Sequence, residues 1–330
     1  MSNFIFTCGD VNGIGPEIVI KSLNNLYNSK KHSFIFATPL NVFNSIIKNI
    51  QPNFSYNIVE SISDKFDNRV TILKLPDTEI EYGNITSKSG LSAYNSIKTA
   101  FNLLRGEKVD AMLTAPISKT ALSIAGINYP GHTEMLADWC NVDDCSMMFL
   151  SSKMKSALVT IHSSIKNITK EITITKLTSS FKIIIRTLQN DFLINEPKIA
   201  VLGLNPHAGE NGLIGGEEKE IIIPSINSSK YKKYLFGPFS PDAFFAKHNY
   251  KDFDLVLGMY HDQVLIPFKM LNSGKGVNFT AGLPIVRTSP DHGVAFDIAG
   301  KFVADESSML EAFYFAEKIV NNRKINAKTK

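Results

Sequence analysis

Three histidines stand where an apolar run ends. His162 follows Val159-Thr160-Ile161, His261 follows Met259-Tyr260 and precedes Asp262, and His207 lies within Leu204-Asn205-Pro206-His207-Ala208-Gly209-Glu210. If the runs are parallel strands, all three side chains leave one edge of a sheet. Neutral imidazole ligates zinc and similar divalent ions, and three protein ligands leave positions open for substrate or water. The ligands are far apart in sequence and carry no local signature such as HExxH, so hydrogen-bonded structural histidines are the alternative reading. His132 stands apart, in Tyr129-Pro130-Gly131-His132-Thr133-Glu134, and His32, His248 and His292 share no such strand-end context or lie in ordinary polar surroundings.

Two cations flank a glycine-bounded stretch further along the chain. Lys269 precedes, and Arg287 follows, the stretch Gly276-Val277-Asn278-Phe279-Thr280-Ala281-Gly282. Arg suits carboxylate or phosphate through its planar fork and Lys as a mobile point charge; solvated surface cations are the competing reading. A third feature is Gly9-Asp10-Val11-Asn12-Gly13-Ile14-Gly15-Pro16-Glu17. Its glycine spacing is wrong for the dinucleotide fingerprint, and Pro16 removes a backbone donor that a pyrophosphate would use. It reads either as an anion-binding loop or as a tight βα turn that needs glycine dihedrals.

The elements that must carry these residues alternate along the chain. Short apolar runs at residues 4–7, 33–38, 109–113, 147–150, 157–161, 199–204, 255–259 and 284–288 read as strands, each stopping at a polar cluster. Helical patterns lie between them: one opening at Pro16 with Glu17 set favourably against the helix dipole, a stripe of Ile97, Ala100, Phe101 and Leu104, and a closing helix at about 305–320. This alternation is the form of βαβ units around a mainly parallel sheet, which places ligands beyond the carboxyl ends of its strands.

Composition bounds the rest. With 330 residues, 44% hydrophobic and 20% charged, the chain can bury a large core. A net charge of +4, without a basic run, speaks against nucleic acid or a membrane surface as partner and leaves a small molecule. Cys8, Cys140 and Cys145 form neither a disulfide framework nor a zinc knuckle. With no apolar stretch of spanning length and no basic leader, a cytoplasmic setting is expected.

Taken together the motifs resemble the 4-hydroxythreonine-4-phosphate dehydrogenases of pyridoxine 5′-phosphate biosynthesis. The opening loop, Leu113-Thr114-Ala115-Pro116-Ile117-Ser118-Lys119, Pro-Gly-His-Thr-Glu, Leu-Asn-Pro-His-Ala-Gly-Glu, Gly237-Pro238-Phe239-Ser240-Pro241-Asp242, Tyr-His-Asp-Gln and Arg287-Thr288-Ser289-Pro290-Asp291-His292-Gly293 occur in that family's order, from Gly9 to Lys301. The resemblance implies an α/β fold of the isocitrate/isopropylmalate dehydrogenase type, with two α/β/α subdomains around a cleft. Residues 1–130 plus 290–330 would form the subdomain containing both termini, and 131–289 the middle, dimer-forming one. It implies a homodimer with the active site at the subunit interface, and NAD(P) bound without the usual fingerprint. One divalent ion per subunit (Zn2+, Mg2+ or Co2+) would be held by His162, His207 and His261, with part of each set coming from the partner. A small phosphorylated amino acid would meet His132, Thr133, Lys269, Asn278 and Arg287. Asp262 and Lys269 are the candidates for catalytic roles.

The implied reaction is oxidation of 4-phosphohydroxy-L-threonine with decarboxylation to 3-amino-2-oxopropyl phosphate. The rivals are a dehydrogenase of threonate or erythronate 4-phosphate, a phosphate acyltransferase of similar fold, a metal-dependent hydrolase and a non-catalytic binding module. The chain departs from the family pattern at Val11-Asn12, where Pro-Ala is usual, at Ser163-Ser164, where Leu-Pro is common, and at Val264, where glycine usually stands. A β-branched residue at 264 is expected to alter the loop or narrow access to the site.

Overall fold

Phe4, Ile5 and Phe6 are fully buried in succession, as are Phe34 through Ala37 and Ala111 through Leu113. Unbroken apolar runs of this kind belong to strands covered on both faces, the setting of parallel sheets flanked by helices. The computed structural model describes residues 2–27, 31–62, 70–272 and 274–328. Its strands in chain order are β1 (Ser2–Thr7), β2 (His32–Pro39), β3 (Tyr56–Val59), β4 (Val70–Leu75), β5 (Ala111–Thr114), β6 (Ser146–Leu150), β7 (Lys155–Leu158), β8 (Ile199–Leu202), β9 (Leu235–Phe239), β10 (Leu255–Gly258), β11 (Val277–Ala281) and β12 (Arg287–Pro290).

The chain divides into two units, Met1–Leu136 with Pro284–Val320, and Ala137–Leu283 with Asn321–Lys330. In the first, six parallel strands run in the order β3-β4-β2-β1-β5-β12. Helix Gly15–Leu26 follows β1 with Pro16 in its first turn. Glu17 does more than oppose the dipole: its Oε1 accepts from Lys21 Nζ and from the backbone N–H of Ala304, at 2.8 and 2.7 Å. Helix Ser87–Arg105 is capped by Thr86, whose hydroxyl accepts from Ser89 N, and it buries the expected stripe Ile97, Ala100, Phe101 and Leu104.

In the second unit the order is β11-β6-β7-β10-β8-β9. β11 and β7 are antiparallel to β6, whereas β7, β10, β8 and β9 run parallel. Helix Ile174–Asp191, capped by the Thr173 hydroxyl, covers this sheet with Leu177, Phe181, Ile184 and Leu188. The final helix extends over Ser307–Lys328, longer than its sequence pattern. Its last turns are held by Arg323, which donates to both carboxylate oxygens of buried Asp191 at 2.8 and 2.9 Å. No helix among the described residues is long and apolar enough to cross a membrane.

β3, β4, β9 and β11 lie outside the strands expected from sequence. β3 and β9 are edge strands with partly exposed residues, and β9 contains Gly237-Pro238, a breaker signal tolerated only at an edge. β11 carries Asn278 and Thr280 and pairs antiparallel with β6. β4 has an ordinary apolar run, Val70-Thr71-Ile72-Leu73, of the same kind as the expected strands.

Candidate active site

Because β7, β10 and β8 lie side by side and parallel, their carboxyl ends share one edge, and the segments leaving that edge carry His162, His261 and His207. Pairing continues past the strand ends. Val159 N donates to Gly258 O and Thr160 N to Met259 O, while the Thr160 hydroxyl donates to the same Met259 carbonyl at 2.7 Å. These bonds bring the His162 and His261 rings to 6.3 Å between centroids. Buried Gln263 ties the third segment in: its Oε1 accepts from Met259 N and its Nε2 donates to Gly203 O, each at 2.7 Å.

His261 opens helix His261–Asn272, and its Nδ1 lies 2.7 Å from Asp262 Oδ1. A carboxylate at Nδ1 favours the tautomer that donates there and leaves Nε2 as the acceptor, the arrangement usual behind metal-bound histidines. His207 falls in a left-handed run in which His207, Ala208, Gly209, Glu210 and Asn211 all have positive φ. It faces Asp242, whose carboxyl is held low by the Ser240 hydroxyl and the Ala243 N–H, with His207 adding a smaller contribution. Among the described residues no three His, Cys, Asp or Glu side chains converge closely enough to hold a metal ion. The structure therefore brings His162 and His261 together, backed by Asp262, and sets exposed His207 on the same edge without completing a cluster. The donor chemistry of the pair fits a divalent ion.

The remaining predicted residues divide between the units. Lys269 is exposed in the last turn of helix His261–Asn272, and Asn278 sits on β11 with its Oδ1 buried and unpartnered. In the first unit, Arg287 at the start of β12 is only 2% exposed, and its Nε donates to Thr114 Oγ1 at 2.8 Å. Burial pushes the guanidinium down to about 9, with Glu134 acting in the opposite direction. His132 begins helix His132–Trp139 beside buried Thr133. Its Nε2 is covered and unpartnered, and burial, then Arg287, then Lys119 hold the imidazole well below its ordinary range. Glu134 Oε2 is likewise buried without a partner.

Lys119 and Glu134 are thus parts of this polar cluster, and neither was expected in it from residue type and spacing. Both stand in quoted motifs, Thr-Ala-Pro-Ile-Ser-Lys and Gly-His-Thr-Glu, and the signal that marks them is adjacency to the anchoring Arg and His in space. A buried arginine, a lysine and a neutral imidazole with an uncommitted nitrogen have the chemistry that suits an anion. A shallow groove lined by Pro76, Thr78, Lys88, Leu91 and Asn95 in the same unit contains none of the predicted residues.

The glycine loop is resolved in favour of the tight turn. Asp10, Val11 and Asn12 are fully buried, Asp10 N donates to Pro116 O at 2.9 Å, and a Cβ on Gly9 would press into the Ala115–Pro116 backbone. With its backbone buried against Ala115–Pro116, that loop does not fit a pyrophosphate.

The family described as pyridoxal phosphate biosynthetic protein PdxA matches residues 29–316. The chain belongs to the PdxA family. A relative from Sulfurihydrogenibium sp., a 4-hydroxythreonine-4-phosphate dehydrogenase, is 38% identical over 325 residues, covering 98% of this chain and 100% of that one. The D-threonate 4-phosphate dehydrogenase of Cupriavidus necator is 37% identical, covering 96% and 97%. The crystal structure of 4-hydroxythreonine-4-phosphate dehydrogenase from Klebsiella pneumoniae matches with a TM-score of 0.84 at 35% identity over 97% of this chain and 98% of that one.

Within the PdxA family pattern, the departures now have places. Ser163 hydrogen-bonds Glu171 and, with Lys176, holds that carboxyl below its ordinary value. Val264 is fully buried in the core cluster with Leu202, Val256 and Phe268. The expectation that it would narrow access to the site is corrected: its side chain packs inward, against Gly258.

Proposed function

We propose that this chain oxidises 4-phosphohydroxy-L-threonine with NAD(P)+ and a divalent ion, giving 3-amino-2-oxopropyl phosphate after loss of carbon dioxide from the β-keto acid. The observation that carries the reading is the juxtaposition of His162 with the Asp262-backed His261 at the shared edge of β7, β10 and β8. The named activity of the full-length relatives agrees with it.

His162, His207 and His261 would hold the ion, as Zn2+, Mg2+ or Co2+. When bound, the ion would supply polarisation of the substrate's secondary hydroxyl and the nicotinamide would supply a hydride acceptor. Asp262 orients the His261 ring through Nδ1. Arg287, Lys119 and Lys269 neutralise the substrate's anionic ends. His132, kept neutral, offers a nitrogen for a hydrogen bond without adding charge, and Thr133 adjoins it. Asn278 Oδ1, buried and unpartnered, accepts from the substrate's ammonium or hydroxyl.

A second copy of the chain completes the ligand set in this reading, in a homodimer. What supports it is the exposure of large apolar side chains close in sequence to these residues: Ile165 at 83%, Leu213 at 85% and Met270 at 79%.

The test is NADH or NADPH formation from 4-phosphohydroxy-L-threonine, with and without a chelator. Turnover lost to chelator and restored by one of the three ions is expected; no turnover with any of them overturns the reading. The relative from Cupriavidus necator favours a second substrate, D-threonate 4-phosphate, in which a hydroxyl replaces the amine. The ratio of kcat/KM for the two substrates decides between them.

A further inference from the structure

We propose that Glu218 is a positioning residue for His207, fixing the left-handed segment from which that histidine is presented; this rests on the reading of His207 as a metal ligand. Left-handed backbone is unfavourable for residues with a Cβ, and here His207, Ala208, Glu210 and Asn211 adopt it in one run around Gly209. Such a run persists only where its surroundings over-determine it.

Glu218 provides that determination. Its carboxylate is 3% exposed, and Oε1 accepts from both Leu204 N and Asn205 N at 2.7 Å. Oε2 accepts from Asn205 Nδ2 at 2.9 Å, and the same Nδ2 donates to Glu217 Oε2 at 2.7 Å. The bonds fix the two residues that lead into the run. Gly209, in its middle, packs on the same carboxylate, where a Cβ would stand 2.6 Å from Oε2. Glu218 therefore grips the segment on both sides of His207. It also opens a single π-helical turn, Glu218–Ile222, a geometry frequent at functional sites. It acts on His207 through the backbone alone.

The experiment uses the full-length protein and four forms: wild type, H207A, E218Q and E218A. Zn2+ affinity is measured by calorimetric titration, thermal stability is measured without metal, and amide exchange is followed across residues 204–211. E218Q keeps the shape and can keep the Oε1 contacts, but it turns an amide donor toward Asn205 Nδ2. The expected result is a loss of Zn2+ affinity of about 10-fold or more for E218Q, with faster exchange confined to 204–211. Should E218A fail to fold, E218Q alone carries the comparison. H207A weak and E218Q equal to wild type overturns the role of Glu218 while leaving His207 a ligand. A fall in melting temperature with unchanged Zn2+ affinity marks a merely structural carboxylate and also overturns it. H207A equal to wild type overturns the metal reading, and the assignment of Glu218 with it.

Discussion

Val264 packs its Cγ2 over the α-carbon of Gly258, so closely that a Cβ at position 258 would collide with it. Gly258 closes β10 and Val264 lies in the first turn of helix His261–Asn272, so this contact sets how the helix that begins with His261 seats on its strand. The two positions are coupled by volume. G258A should destabilise by about 2–3 kcal/mol through overpacking. Adding V264A should recover at least half of that loss in urea unfolding, and strictly additive single and double effects would refute the coupling.

His132 predicts a pH dependence with a definite sign. Its imidazole is kept neutral in the fold by burial and by the facing Arg287 and Lys119, with Glu134 nearby. The unfolded chain therefore binds more protons than the folded one below the ordinary value of 6.5. Stability should be flat above that pH and fall as pH drops below it, by at most about 1.4 kcal/mol per pH unit for this one group. His132→Asn should flatten the slope between pH 6.5 and 5.5 in urea midpoints; an unchanged slope would assign it to other groups.

The buried parallel strands were legible because residues covered on both faces read as apolar runs, as in Phe4-Ile5-Phe6 and Leu255-Val256-Leu257. The edge strands β3 and β9 were not, since half-exposed residues and a proline blur the period. Three strand-end histidines pointed to one sheet edge, and β7, β10 and β8 do share one. What spacing does not encode is the bracing behind them. Gln263 reaching Gly203, and Glu218 gripping Leu204 and Asn205, join residues whose proximity depends on strand order. The same holds for Lys119 beside His132 and for Val264, whose inward direction follows from helix phase.

Asp262 should matter to the ion far more than to the fold. It and His261 are exposed, 71% and 44% at the side chain, so the pair contributes little to stability. D262N should weaken Zn2+ binding by about 10-fold, while the unfolding free energy moves by less than about 0.5 kcal/mol. Calorimetric titration beside urea unfolding separates the two. A variant that binds Zn2+ as tightly as the wild type would leave Asp262 without an orienting role.

Asn12, one of the departures from the family pattern, works as a clamp. Its Oδ1 accepts from Glu81 N at 2.7 Å, and its Nδ2 donates to Asn84 O and to the Thr86 hydroxyl at 3.0 and 3.3 Å. Gly83 N adds a bond to the Asn12 carbonyl at 2.9 Å. Since the Thr86 hydroxyl also caps helix Ser87–Arg105, the clamp joins the buried glycine turn to a helix start. N12A, which supplies the usual residue, removes three bonds and should cost about 2–3 kcal/mol. N12D keeps the acceptor for Glu81 N but loses both donors and places a carboxylate near buried Asp10, so it should cost more than N12A. Amide exchange at Glu81 should quicken in N12A and stay slow in N12D under conditions where both are folded. Equal exchange in the two variants would show that the bond to Glu81 does not hold this segment.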